Sequence, residues 1–209
     1  RVHYVGDAVA LVVADSRELA QDAAELIEID FDSDDAAAAT ATALDDDAPL
    51  VWPELKTNQA FIYHLGDKAK AKAAFAKAAK VTRIAFTNNR LICNYMEPRA
   101  AIGEWKADEN RFVLTTGTQG VHGVQKILTG VFGIDAKQLR VITPDVGGGF
   151  GPKSFVYREY ALVMEAARQL GKPVKWTCDR TEHFLTDAQG RDNVVEAAMA
   201  MDKDGRFLA

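Results

Sequence analysis

Cysteine is scarce in this chain of 209 residues: there are two, Cys93 and Cys178, far apart and in no C-x-x-C pair. That excludes a disulfide framework and fits a reducing compartment. The four histidines, His3, His64, His122 and His183, share no H-x-x-x-H spacing, so each reads as a surface or structural residue. Excess positive charge is missing too. With 25 basic against 30 acidic residues, a formal net charge of -5 and no basic stripe interleaved with aromatics, composition speaks against a nucleic-acid partner. No apolar run is long enough to span a bilayer. There is no G-x-S-x-G elbow, and neither cysteine has a histidine placed by sequence to activate it.

What the chain does have is a hydrophobic fraction of 48%, enough for one or two domains with a sizeable core, and one unusual stretch, Thr143-Pro144-Asp145-Val146-Gly147-Gly148-Gly149-Phe150-Gly151-Pro152-Lys153-Ser154. Four glycines broken by one Phe remove Cβ atoms and permit positive φ, which suits a loop approached closely by something else; a Phe among them reads as buried. The loop sits between a strand-like run, Leu139 to Thr143, and an amphipathic segment, Phe155 to Leu170. That placement aims its N–H groups at a helix's positive end, where an anion or a metal-bound oxygen is favoured. Neither a Walker A loop nor G-x-G-x-x-G fits, because Pro152 stands where those motifs need another residue.

From the N-terminus, Val9 to Ala14 predicts a buried strand and Asp15 with Glu18 a capping box. Leu19, Ala23, Leu26 and Ile27 predict a helix, and Ile29 to Phe31 a second strand. Asp34 to Asp47 reads as an exposed connector and Asp67 to Ala79 as a solvated Ala- and Lys-rich helix anchored by Phe75. From Val81 the pattern turns to β: Ile84 and Phe86 alternate, Leu91 to Tyr95 is a short run, and Ala100 to Trp105 with Phe112 to Leu114 predicts a hairpin. A domain boundary near residue 78 follows. Val121, Val124, Leu128 and Val131 form a helical stripe ended by Gly133. Tyr160, Val163, Met164, Ala167 and Leu170 form another, ended by Gly171 and Pro173, with a short strand from Val174 to Cys178 beyond. Gln119 and Phe150 both fall on loops beside helix starts, so they can meet at one edge of a mixed sheet, where Gln119 can donate from its amide to a bound oxygen. Glu97-Pro98-Arg99 and Asp179-Arg180 with Glu182 read as ion pairs that hold loops. The chain opens on Arg1 without an initiator methionine. It closes on a strand, the turn Asp202-Lys203-Asp204-Gly205 and the first residues of a returning strand, so a piece of a larger protein is expected.

Tyr4-Val5-Gly6-Asp7 with Ala8-Val9-Ala10, Asn94-Tyr95-Met96-Glu97-Pro98-Arg99, Thr118-Gln119, Pro144 to Lys153, Lys172-Pro173-Val174-Lys175-Trp176, Asp179-Arg180-Thr181-Glu182 and Gly190-Arg191-Asp192 together resemble the molybdenum-binding large subunit of the xanthine dehydrogenase, aldehyde oxidase and carbon monoxide dehydrogenase family. The matches keep the family's order and span nearly the whole chain. The resemblance implies an α+β (mixed α/β) fold, with residues 1–77 the C-terminal part of an α/β-hammerhead domain and 78–209 the first part of the molybdopterin-binding region. It implies that Gln119 and Phe150 contact oxygen ligands of molybdenum and that Gly148, Gly149, Phe150 and Gly151 lie against molybdopterin, in its cytosine dinucleotide form, with no residue ligating the metal directly. Such enzymes hydroxylate a carbon with oxygen from water, use a glutamate base and pass electrons through iron-sulfur centres to a flavin. The implied partners are therefore an iron-sulfur small subunit and an FAD medium subunit, with large-subunit dimerisation. The implied location is cytoplasmic, or periplasmic through export of a partner.

Nothing after Gly190 matches the Gly-x-Gly-Glu that carries the family's base, so this chain alone is expected to lack a catalytic residue and to be inactive. Xanthine-oxidising members carry Glu where Ser154 stands, which argues against a purine and makes Ser154 the substrate-side position. Relatives often read His-Gly-Arg-Asp where this chain has Gln189-Gly190-Arg191-Asp192. Aldehyde, heterocycle and carbon monoxide stay open as substrates. The rival readings are a nucleotide- or phosphate-binding domain and a non-catalytic assembly module, and apolar surface left without its partners is expected to promote association.

Overall fold

The computed structural model describes all residues, 1–209. Its regular elements are α1 (Arg17–Glu25), α2 (Lys68–Lys77), β1 (Lys80–Asn88), β2 (Ala100–Lys106), β3 (Arg111–Thr116), α3 (Val121–Phe132), β4 (Leu139–Ile142), α4 (Arg158–Leu170), β5 (Val174–Thr177), α5 (Arg180–Thr186) and β6 (Asn193–Met201). No helix is long and apolar enough to cross a membrane. The chain separates into two compact units, Arg1–Phe31 with Ile92–Gly190, and Asp32–Leu91 with Arg191–Ala209. None of these seams falls at residues 77 and 78, because β1 pairs with β6 and takes both ends of the second unit with it.

The first unit is built on a four-stranded sheet in the order β4-β3-β2-β5. β2 is antiparallel to both β3 and β5, and β3 is parallel to β4 through the crossover helix α3. Register puts Ala101, Gly103 and Trp105 on one face beside Phe112, Leu114, Leu139 and Val174. That face meets Val124 and Leu128 of α3 and Tyr160, Val163, Met164 and Ala167 of α4 in one core cluster. Both helices end on a left-handed glycine, Gly133 and Gly171, as their sequences predict. α4 lies so close on β2 that a Cβ at Gly103 would stand 2.5 Å from the Val163 carbonyl oxygen.

The expected N-terminal strand, helix, strand unit is only partly there. The helix forms, but Ser16 rather than Asp15 caps it, its Oγ accepting from the Leu19 N–H at 3.2 Å. Val9 to Ala14 and Ile29 to Phe31 are not strands: neither run finds a ladder partner in the chain, and Val9, Leu11, Ile29 and Phe31 stand exposed. A pattern of β-formers supplies propensity, but a strand exists only when another one takes up its N–H and C=O groups. Leu91 to Tyr95 likewise forms no strand, and the Tyr95 N–H turns back onto the Cys93 carbonyl at 2.9 Å.

In the second unit, β1 and β6 pair antiparallel from Lys80↔Met201 to Asn88↔Asn193. The turn after β6 returns as expected, with a bridge between Met201 and Phe207. α2 is the solvated helix foreseen, capped by Asp67, whose carboxylate accepts from the N–H groups of Ala69 and Lys70. The Asn58 carboxamide organises the Ala-rich connector by bonding Ala43 O, Pro49 O and Val51 N. Arg191 and Asp192 both adopt positive φ, and the Asp192 carboxylate accepts from Thr40 and Arg90.

Candidate cofactor-binding site

Because β3 and β4 are parallel neighbours, their C-terminal ends lie side by side and the loops that follow them are forced together. The loop after β3 carries Gly117 to Gly120 and the loop after β4 carries the glycine run, so Gln119 meets that run as expected. The Gly151 N–H donates to Gln119 Oε1 at 2.8 Å, and the Gln119 N–H donates to the Lys153 carbonyl at 3.0 Å. A bond from a backbone N–H can only be taken by the amide oxygen, so the Gln119 NH2 group is left as an outward donor. The Gly149 and Phe150 N–H groups have no acceptor within the chain. All of these donors lie on the two loops that the Gly151 to Gln119 bond joins.

The glycines are required first by the chain itself. A Cβ at Gly147 would stand 2.5 Å from Glu97 Cβ, one at Gly148 would stand 2.9 Å from Tyr95 Cβ, and one at Gly149 would stand 2.6 Å from Gln119 Oε1. Gly148 and Gly151 also have positive φ, at 96° and 106°. Phe150 shares that left-handed region at φ 50°, unusual for a bulky residue. It is not buried, as its glycine neighbours led us to expect, but 75% exposed, because those neighbours press inward and leave its ring outside. The loop does not open directly into α4 either. A short turn, Pro152–Ser154, and an extended Phe155 intervene before α4 begins at Arg158. The helix that adjoins the site is α3, which starts two residues after Gln119 and whose Gly120 cap offers no side chain to its free N–H groups. A phosphate loop of the strand, glycine loop, helix kind is thereby disfavoured. Ser154 is exposed on the far end of the turn.

Behind the loop lies machinery that sequence reading did not assign. Lys153 is fully buried, and its Nζ donates to the Glu97 carbonyl at 2.9 Å and to Glu97 Oε2 at 2.7 Å, while lying 4.6 Å from the centre of the Tyr95 ring. The same Oε2 accepts from the Gly147 N–H at 2.8 Å. Burial raises the Glu97 pKa, and Lys153 with the Gly147 N–H outweighs it, holding the carboxyl below its ordinary value. The Cys93 thiol lies 3.7 Å from the Phe150 carbonyl. One signal for Lys153 was available: a lysine inside a glycine- and proline-rich turn, read only as a failed Walker residue.

The Glu97-Pro98-Arg99 cluster forms ion pairs with partners from elsewhere in the chain, whereas Asp179, Arg180 and Glu182 form none and hold their segment by hydrogen bonds instead. Arg99 is buried against Asp187, bonds Glu159 at 3.1 Å and Thr186 at 2.7 Å, and stacks 3.7 Å over the Tyr157 ring. Tyr95 donates its hydroxyl to Asp187, and burial with that carboxylate raises the phenol's pKa far above its usual value. Burial pushes the Tyr157 hydroxyl and the Cys178 thiol each up to about 12, so both stay protonated. Arg180 donates to the carbonyls of Tyr95 and Met96, and Asp179 caps α5. Segment 95–99, which backs the glycine loop, is therefore anchored at both ends. No cluster of side chains here could hold a metal ion by itself.

The adjacent parallel strands β3 and β4 thus bring a glycine loop and a glutamine to one edge of a mixed sheet, joined there by the Gly151 to Gln119 bond. Residues 51–209 match the molybdopterin cofactor-binding domain family, and the chain belongs to it. It is 32% identical over 221 residues to the carbon monoxide dehydrogenase large chain of Afipia carboxidovorans, a match covering all of this chain and 27% of that one. Reconstituted carbon monoxide dehydrogenase from Oligotropha carboxidovorans superposes with a TM-score of 0.84 at 30% identity, over 93% of this chain and 26% of that one. Quinoline 2-oxidoreductase from Pseudomonas putida 86 gives 0.83 at 33% identity, over 93% and 24%. The chain thus spans about a quarter of the length of these relatives.

Proposed function

We propose that this chain is the part of a molybdenum hydroxylase large subunit that grips the oxygen side of molybdopterin. Its residues suit that group: the Gln119 NH2 and the N–H groups of Gly149 and Phe150 are donors with no acceptor in the chain, all on the two loops that the Gly151 to Gln119 bond joins, and a domain built to hold anionic oxygens needs donors rather than ligands. When bound, the cofactor supplies a redox centre for the two-electron oxidation of a carbon with water as the oxygen source. Gly148, Gly149 and Gly151 set the loop's path, and the exposed Phe150 ring stands out from it. The observation that carries the reading is the Gly151 to Gln119 bond, which joins two loops of separate strands into one surface.

The finer reading follows from the same resemblance. Residues 1–77 are the latter part of an α/β-hammerhead domain and 78–209 the first part of the molybdopterin-binding region. The cofactor is the cytosine dinucleotide form, and iron-sulfur and FAD subunits complete a dimeric enzyme in the cytoplasm. The general base comes from outside this chain, which is inactive alone. With Ser154 at the substrate-side position, the substrate is carbon monoxide, an aldehyde or a heterocycle rather than a purine. Full-length protein purified from molybdenum-replete cells and assayed by mass spectrometry for metal and by fluorescence for oxidised pterin should hold about one of each per chain. Gln119→Ala should lower both. A wild-type protein, folded and complete, that carries neither metal nor pterin would sink the reading.

A further inference from the structure

We propose that Lys153 is a positioning residue that sets the conformation of the whole cofactor mouth, acting through Glu97. Three segments, distant in sequence, are tied by this one side chain and its own backbone. Its ammonium holds segment 95–99 through both the carbonyl and the carboxylate of Glu97, at 2.9 and 2.7 Å. The Glu97 carboxylate, so held, receives the Gly147 N–H at 2.8 Å, and the Glu97 N–H returns a bond to the Gly147 carbonyl at 3.2 Å. The Lys153 carbonyl meanwhile accepts from both Thr118 Oγ1 at 2.9 Å and the Gln119 N–H at 3.0 Å, which fixes the turn that aims Gln119. Gly117 is drawn in as well, since a Cβ there would lie 3.4 Å from Glu97 Oε2 and 3.6 Å from Lys153 Nζ.

A fully buried lysine is retained only with compensation, because an ammonium out of water costs several kcal/mol. Here the compensation is two oxygens of Glu97 and the Tyr95 ring face, all of them on the segment that backs the glycine loop. Removing the charge leaves the Glu97 carboxylate bonded to Gly147 alone, and that carboxylate, 42% exposed, is free to swing toward water. The loop is then left with only the Glu97 N–H to Gly147 carbonyl bond as a fixed contact behind it, while the core of α3 and α4 is untouched. Ordering the donors before the ligand arrives is what makes them effective.

The test compares wild-type, Lys153→Met and Glu97→Gln full-length proteins by amide hydrogen exchange, each in cofactor-free form from molybdenum-depleted cells, so that any change belongs to the chain. Exchange at Gly147, Gly148 and Gly151, the bonded amides of the loop, should speed up about tenfold or more in both variants, while 160–167 in the core of α4 keep their protection. Grown with molybdenum, both variants should fall to about a third or less of wild-type metal occupancy. Unchanged exchange at those three amides in folded variants would overturn the proposal. If Lys153→Met loses protection throughout, Glu97→Gln, a change of charge at a partly exposed side chain, decides by the same two outcomes. The occupancy arm rests on the cofactor reading: a wild-type protein without molybdenum would end that reading, while the exchange result still judges the brace.

Discussion

At position 149 there is room for a hydrogen and nothing more. A methyl group would meet the Gln119 carboxamide oxygen at 2.6 Å, so Gly149→Ala must push Gln119 aside and break its bond to the Gly151 N–H. The strain is about 1–3 kcal/mol. We expect molybdenum retention in the full-length protein to drop about tenfold; equal retention would contradict the arrangement. His183 offers a different test. It is fully buried, its Nδ1 lies 3.0 Å from Asp187, and its Nε2 has no hydrogen-bond partner. Burial first, with Arg180 and Arg99 nearby and Asp187 opposing, lowers its pKa below 6.5. Folding therefore favours the neutral ring, and its contribution is complete above pH 6.5 and lost as pH falls through the folded value. Thermal melts between about pH 7 and pH 5 should show a shallower decline for His183→Phe than for wild type. Parallel declines would refute this. At this scale the sequence was legible where residue type and position agreed, as for Gln119 between a strand and a helix. It was not legible for Lys153, since a lysine's default is solvent and its partner lies 56 positions away. Nor was it for Phe150, whose exposure depends on which way three glycines pack.

Among the elements, α4 packs closely on β2, and Gly103 makes that approach possible. Gly103→Val would drive a branched side chain into the backbone at Val163, 2.5 Å from where its Cβ must sit. We expect a loss of at least about 1–3 kcal/mol in chemical denaturation, where a neutral result would mean the helix can lift away freely. Arg99 makes the joint between β2's start and α5. Replacing it by leucine leaves the Asp187 and Glu159 carboxylates facing each other's burial without a cation, a change that costs about 3–5 kcal/mol, measurable by the same titration. α3, α4 and the β2–β3 hairpin were readable because apolar periodicity and glycine caps are local signals. The runs at Val9 and Ile29 carried the same local signal for strands, and failed because pairing is decided by what lies across from a segment, which no local pattern contains.

Taken as a whole, the chain leaves much apolar surface open, including Phe61, Ile62, Tyr63 and Leu65 within one five-residue stretch, where Leu65 is 89% exposed. The isolated chain should therefore self-associate, and light scattering at rising concentration should register it; a monodisperse monomer throughout would show that this surface is not adhesive. Both compact units are assembled from two separate stretches of sequence. During synthesis β1 leaves the ribosome about a hundred residues ahead of β6, a delay of roughly 5–20 s at ordinary elongation rates. Throughout that interval β1 lacks the strand it pairs with, so its unpaired edges stand open to a neighbouring nascent chain until β6 emerges.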